Sequence, residues 1–238
     1  MTFREFHAGL LNTLRQLRTD IALPFVYIML RTKKFEMSKD LLDFACSGSF
    51  GAIKPSQVRP EIEKLLELLN DKKAKNGLEV GTNNGGTLFL FANTIRPGGM
   101  LVSVDLPGGL YGGGYSPVRI PFYQSFARRG SRINLIRADS HSPETLAKVK
   151  KATGGTKLDF IFIDGDHAYE GVKKDFEMYS PLVKKGGLII FHDIAVHPLE
   201  LRCDVHRFWN EIKKKYKHTE FIEAQEQSWA GIGVIYRS

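Results

Sequence analysis

Five ionisable side chains stand just past two strongly apolar runs. Leu158–Ile163 leads into Asp164, Gly165, Asp166 and His167, and Leu188–Phe191 leads into His192 and Asp193. Apolar runs of this length, rich in β-branched and aromatic residues, read as buried strands. In open parallel sheets, ligands lie outside the carboxyl ends of the strands. Helix capping and loop hydration account for one or two polar groups in such places. Five at neighbouring strand ends mark a pocket. A histidine there, with a pKa of about 6.5, can accept a proton near neutral pH.

A second constellation lies upstream, in Glu79-Val80-Gly81-Thr82-Asn83-Asn84-Gly85-Gly86-Thr87. Its glycines let the backbone turn tightly and approach a ligand, and Asn83 tolerates a left-handed conformation. The helix that follows aims unpaired N–H groups into the turn. No Gly-Lys-Ser/Thr follows, so the turn is not a Walker loop. Asn83 stands where GxGxxG requires its second glycine, leaving the pattern Glu-x-Gly-x-Asn-x-Gly. Two further strand ends carry acids. Asp105 can accept both hydroxyl hydrogens of an adenosine ribose. Asp139, followed by Ser140, can accept from an adenine amino group or cap the next helix.

The elements that would position these groups alternate regularly. Strand-like runs occur at Leu78–Val80, Met100–Val104, Ile133–Ile136, Leu158–Ile163 and Leu188–Phe191, and helix-like segments at Thr87–Asn93, Phe122–Arg128, Pro143–Lys150 and Glu170–Tyr179. Ile62, Leu65, Leu66 and Leu69 add a helix begun by Pro60, and Val205, Phe208, Trp209 and Ile212 add another. Ser142 before Pro143 is an N-cap, and Gly154–Gly155 and Gly186–Gly187 read as stops. Phe221–Ile222 and Gly231–Tyr236 read as a closing antiparallel hairpin. The expected fold is α/β, doubly wound and Rossmann-like. It has a mainly parallel sheet of seven strands, an antiparallel edge and an N-terminal helical extension. Residues 1–56 form that extension, a lid or dimer contact, and 57–238 form the main domain.

The stretches Gly77–Thr87, Ile161–Asp175, Ser180–Ile194 and Val205–Ile212 together resemble class I S-adenosylmethionine (SAM)-dependent methyltransferases. Within that class they are similar to the small-molecule O-methyltransferase-like family related to cephalosporin-cluster and macrolide-sugar methyltransferases. The resemblance implies methyl transfer from SAM to a hydroxyl of a small molecule, such as a sugar or natural product. It places the cofactor across Glu79, Gly81, Asn83, Gly85, Thr87, Asp105, Asp139 and Ser140. His167 matches the general base of some sugar-modifying relatives, with Asp164 beside it. In metal-dependent relatives the positions of Asp164, His192 and Asp193 hold Mg²⁺. His192 replaces the usual carboxylate there, which admits Mn²⁺ or Zn²⁺ as well. The competing readings are an NAD-dependent oxidoreductase, a nucleic-acid methyltransferase and a non-catalytic SAM-binding partner protein.

Composition sets outer bounds. The 238 residues carry 34 Lys+Arg against 26 Asp+Glu, a net charge of +8. That basicity suits anionic ligands, yet the chain has no nucleic-acid recognition module and no Asn/Asp-Pro-Pro-Tyr element. Two cysteines, Cys46 and Cys203, cannot build a disulfide framework, and a cytoplasmic setting is expected. The apolar stretch Ile21–Leu30 is too short to span a bilayer, which takes about 20 residues. With Arg15, Arg18, Arg31, Lys33 and Lys34 around it, it suits a packed helix, a homo-oligomer contact or a weak membrane-surface contact. The Gly-rich segment 106–121, with Tyr111 and Tyr115, reads as a lid. Arg119, Arg128 and Arg129 beside it are candidates for a substrate phosphate.

Overall fold

The computed structural model describes residues 20–35, 38–108, 114–224 and 227–238. The helix over residues 20–32 (α1) is followed by α2 (Ser38–Asp43), α3 (Arg59–Asp71), β1 (Asn76–Val80), α4 (Gly86–Thr94) and β2 (Met100–Asp105). Then come α5 (Ile120–Gln124), β3 (Arg132–Arg137), α6 (Pro143–Thr153), β4 (Leu158–Ile163) and α7 (Tyr169–Tyr179). The chain closes with β5 (Val183–His192), α8 (Val205–Ile212), β6 (His218–Phe221) and β7 (Ile232–Tyr236).

The seven strands form one sheet in the order β3-β2-β1-β4-β5-β7-β6. The first five are parallel, and β7 pairs antiparallel with both β5 and β6. Helices cover both faces, which is why the central strands are apolar on successive residues. One core joins α1 to α5 to one face through Leu30, Leu66, Phe89 and Phe126. The other packs α6, α7 and α8 on the opposite face through Val149, Val172, Phe208 and Trp209. Chain order reverses between β1 and β4, so the loops after these strands diverge and leave a crevice.

Three expected boundaries move. The helix expected over Phe122–Arg128 is shorter and earlier, because Pro121 starts α5 and the chain turns at Ser125, whose hydroxyl donates to Phe122 O. Gly186 does not stop a helix. It lies inside β5 at φ 73°, where that strand's register against β4 shifts. The first closing strand ends at Phe221 rather than beginning there. The Ser142 cap is present, its hydroxyl accepting from Glu144 N at 3.2 Å, and Gly154 closes α6 at φ 57°.

The described part of the N-terminal segment is part of the core. Val26, Leu42 and Phe44 are buried with the helices of the first face, while Ile21, Phe25 and Ile28 face outward. Arg119, itself buried, donates to Asp20 Oδ1 at 2.7 Å, Ala52 O at 3.0 Å and Tyr123 Oη at 3.3 Å. Arg128 donates to the carbonyls of Leu30 and Lys33 at the end of α1. Both guanidiniums therefore hold the extension rather than facing a phosphate. Among the described residues, no helix is long and apolar enough to cross a membrane. Residues 109–113 of the expected lid, Tyr111 included, and Arg15 and Arg18 lie outside the described residues.

Candidate active site

A cavity of about 590 Å³ opens at the β1/β4 reversal. Its two ends are built from different parts of the chain.

The first end is the turn after β1. Gly81 has φ 89°, and a Cβ there would stand 1.9 Å from the Asp164 carbonyl oxygen, so no other residue fits. Asn83 takes a left-handed φ of 46° as its type allows, and its N–H donates to Asp105 Oδ2 at 3.0 Å. The Thr82 and Ser103 hydroxyls meet at 2.6 Å beneath it. Burial pushes the Asp105 carboxyl up to about 6, opposed by backbone N–H groups around it. Gly81, Asn83, Thr87, Asp105, Asp139 and Ser140 all line the cavity. Glu79 and Gly85 lie behind its wall. Glu79 accepts from the Thr87 hydroxyl, and its other oxygen has no hydrogen-bond partner among the described residues. Burial raises its pKa to about 8. Asp139 is exposed and spends one oxygen on His141 N at 2.8 Å in a local turn; the cap of α6 is Ser142 instead.

The second end gathers the groups after β4 and β5. His167 Nε2 lies 3.5 Å from Asp164 Oδ1 and 3.3 Å from Asp193 Oδ2. His192 is buried, with Nδ1 at 3.1 Å from Asp164 Oδ1 and 3.2 Å from Asp193 Oδ1. Both neighbours are acceptors, so Nδ1 carries the proton; Nε2 has no hydrogen-bond partner among the described residues. Gln57 Nε2 donates to Asp164 Oδ2 at 2.8 Å. Asp166, in contrast, is engaged in the turn before α7, accepting from Ala168 N at 2.9 Å.

The charges interlock. Burial pushes the Asp164 and Asp193 carboxyls up, but the charge of His192 outweighs it and holds both below the usual range. Burial works against a charged His192, yet the two carboxylates raise its pKa well above the ordinary value. His167 is likewise raised: burial is overcome by its hydrogen bond to Asp164 and by the charges of Asp164 and Asp193.

Two sets of metal-ligand types occur among the described residues. Ligand atoms of Asp164, His167 and Asp193 lie within 4.8 Å of one another, as do those of Asp193, His197 and Cys203. In the first set the nitrogen comes from His167, while His192 bridges the same carboxylates through Nδ1. Two oxygens with an imidazole fit a divalent ion, Mn²⁺ or Zn²⁺ more readily than Mg²⁺.

Several groups at the site carry no local signal. Lys54, Gln57 and Trp229 line the cavity from segments distant in sequence. Trp229 is held there by Glu61, whose buried carboxylate accepts from Gly231 N at 3.0 Å and from Gln227 Nε2 at 2.6 Å. His141 and His197, which the sequence leaves without a role, both take part. His141 lines the cavity, with Nε2 3.4 Å from the buried Asp175, and His197 Nε2 lies 3.1 Å from Asp193 Oδ1.

Residues 78–194 match the family model described as "Methyltransferase domain". A caffeoyl-CoA O-methyltransferase of Populus kitakamiensis is 32% identical over 160 residues, 66% of this chain and 62% of that protein. The match spans about three fifths of the length of two curated relatives and 16% of a third. Among solved structures, an O-methyltransferase described as putative from Klebsiella pneumoniae superposes with TM-score 0.61 at 17% identity, covering 89% of this chain and 95% of that one. The O-methyltransferase from Bacillus cereus, solved with SAH, gives 0.57 at 18% identity, covering 87% and 93%. The structural likenesses speak to fold. Residues 78–194 are thus similar to a methyltransferase domain, and the chain shares the fold of these O-methyltransferases.

Proposed function

We propose that the protein is a SAM-dependent O-methyltransferase acting on a hydroxyl of a small molecule. The observation that carries this reading is the placement of His167 Nε2 between two carboxylates, in the same cavity as the glycine turn and Asp105. The turn fits a nucleoside cofactor: Gly81 leaves open backbone that any Cβ would fill, and Asp105 offers a carboxylate for ribose hydroxyls.

SAM, when bound, would be held by the turn from Gly81 to Thr87 and by Asp105, and would supply a methyl group activated on a sulfonium. The chain's own task is to remove the acceptor's proton and fix its direction of approach. With its Nε2–H directed at the two carboxylates, His167 accepts that proton at Nδ1, and Asp164 and Asp193 hold the resulting imidazolium. Asp164 is itself oriented by Gln57, and the His167 carbonyl is anchored by Asp204 N at 2.8 Å. A divalent ion, when bound, would be held by Asp164 and Asp193 with His192 or His167 as nitrogen donor, and would lower the pKa of an acceptor hydroxyl. Trp229 and Lys54 at the mouth favour a flat acceptor bearing negative charge.

The test is calorimetric titration of chelator-treated protein with SAM and, in parallel, NAD, followed by a metal-supplemented screen of hydroxylated acceptors. Micromolar SAM binding without NAD binding, and methylation of a hydroxyl, are expected. NAD binding alone would overturn the reading.

A further inference from the structure

Asp193 is two-sided. Its Oδ2 faces His167, and its Oδ1 lies 3.2 Å from His192 Nδ1 and 3.1 Å from His197 Nε2. Cys203 completes the His197 side: the ligand atoms of Asp193, His197 and Cys203 lie within 4.8 Å of one another. All three are well shielded, with Cys203 and the His197 side chain each 7% exposed.

The imidazole of His197 is set for ligation. Its Nδ1 lies 2.9 Å from the Ala195 carbonyl oxygen, an acceptor only, so Nδ1 carries a proton. A backbone carbonyl holding one ring N–H is the usual support of a metal-bound histidine, because it leaves the other nitrogen's lone pair for the ion. That lone pair, on Nε2, faces Asp193 Oδ1, itself an acceptor. Two acceptors at 3.1 Å need a proton or a cation between them. The Ala230 N–H donates to Nε2 at 3.2 Å, a hydrogen bond that a bound ion would replace.

We propose that Asp193 Oδ1, His197 Nε2 and Cys203 Sγ form a binding site for a thiophilic divalent cation of the Zn²⁺ type, separate from the His167 side of the cavity. Carboxylate, imidazole and thiolate are the donor types such ions favour. Binding forms a metal–sulfur bond as the S–H bond breaks, and the thiol proton passes to solvent. Any proton held between His197 and Asp193 leaves with it. Because ligation releases protons, the site loads more readily as pH rises. The cation would fasten both ends of the loop between β5 and α8 to Asp193. That loop exposes Val196, Leu199 and Leu201.

The test uses the full chain, stripped with chelator and titrated with Co²⁺ without SAM or acceptor. The expected result is one equivalent giving a near-ultraviolet thiolate-to-cobalt charge-transfer band that Zn²⁺ displaces. Cys203→Ser should lose the band, and Cys46→Ser should keep it. His197→Gln should weaken Co²⁺ binding by about tenfold or more, with an unchanged circular dichroism spectrum. A wild-type protein with no such band, or a band that survives Cys203→Ser, overturns the proposal. Should Cys203→Ser fail to fold, unchanged Co²⁺ affinity and spectrum in His197→Gln overturn it equally. SAM titration of the same sample reports on the methyl-transfer reading separately.

Discussion

Gly81 and Asp164 meet backbone to backbone: a Cβ on residue 81 would lie 1.9 Å from the carbonyl oxygen of Asp164. The proposed cofactor turn and the proposed catalytic edge are thus pressed together with no side chain between them. Gly81→Ala must push β1 from β4 while also holding alanine at positive φ. It should cost about 3 kcal/mol or more and abolish SAM binding. Urea denaturation and calorimetry measure the two losses.

Removing the proposed base separates chemistry from binding. His167→Ala should lower turnover by about 10²-fold or more and leave SAM affinity within a few-fold. Because its neighbours raise the His167 pKa, it is protonated and inactive on the acid side. The wild-type rate should therefore climb along a limb lying above pH 6.5. Near-normal turnover of the variant at neutral pH would remove His167 from this role.

Asp105 must be ionised to accept from two ribose hydroxyls, and its pKa lies at about 6. SAM affinity should then fall as pH drops through 6. Asp105→Ala should weaken binding about tenfold or more and erase that dependence. Calorimetric titrations across pH 5 to 8 would show it.

Glu79 gives a stability test with a definite sign. Its pKa is about 8 in the folded chain against an ordinary 4.5. Between those values the native state binds the extra proton, so stability declines as pH rises from 4.5 toward 8. Glu79→Gln mimics the neutral acid and should flatten that part of the curve. An unchanged pH slope in urea denaturation would mean that Glu79 is ionised in the fold.

Arg119 joins Asp20 of α1 to Ala52 and Tyr123, and the Tyr123 hydroxyl donates to Asn83 O at 3.1 Å in the glycine turn. Arg119→Met leaves buried acceptors behind and should cost about 3 kcal/mol. It should also expose the helix over residues 20–32 to proteolysis and weaken SAM binding. Protease-resistant α1 in the variant would show that packing of Leu30 and Val26 suffices.

The sheet was readable because burial on both faces writes it into consecutive apolar residues, as in Phe160–Ile163. The strand-end acids were readable for the same reason: Asp105, Asp164 and Asp193 interrupt such runs. Glycine was ambiguous. Gly154 ends a helix, but Gly186 makes a bulge within β5, and only the pairing with β4 tells them apart. Gln57 left no trace, since its 2.8 Å bond to Asp164 joins residues that meet only in the folded sheet. His197 was missed because a histidine followed by proline in a loop looks like solvent-facing chain. Its significance lies in Asp193 turning back at φ 62°.

The register of β1 against β4, with Gly77 beside Phe160, bears on how the chain reaches its working form. These neighbours are separated by most of the intervening α/β units, and parallel pairing over such a span is slow because a long loop must close first. The glycine turn can form locally with α4, but Asp164 reaches it only when that closure is made, and Asp193 only when β5 docks in turn. Ligand capacity should accordingly appear late in refolding, after helical structure has been recovered. Truncation before β5 would leave a chain with the glycine turn and Asp164 but without His192 and Asp193.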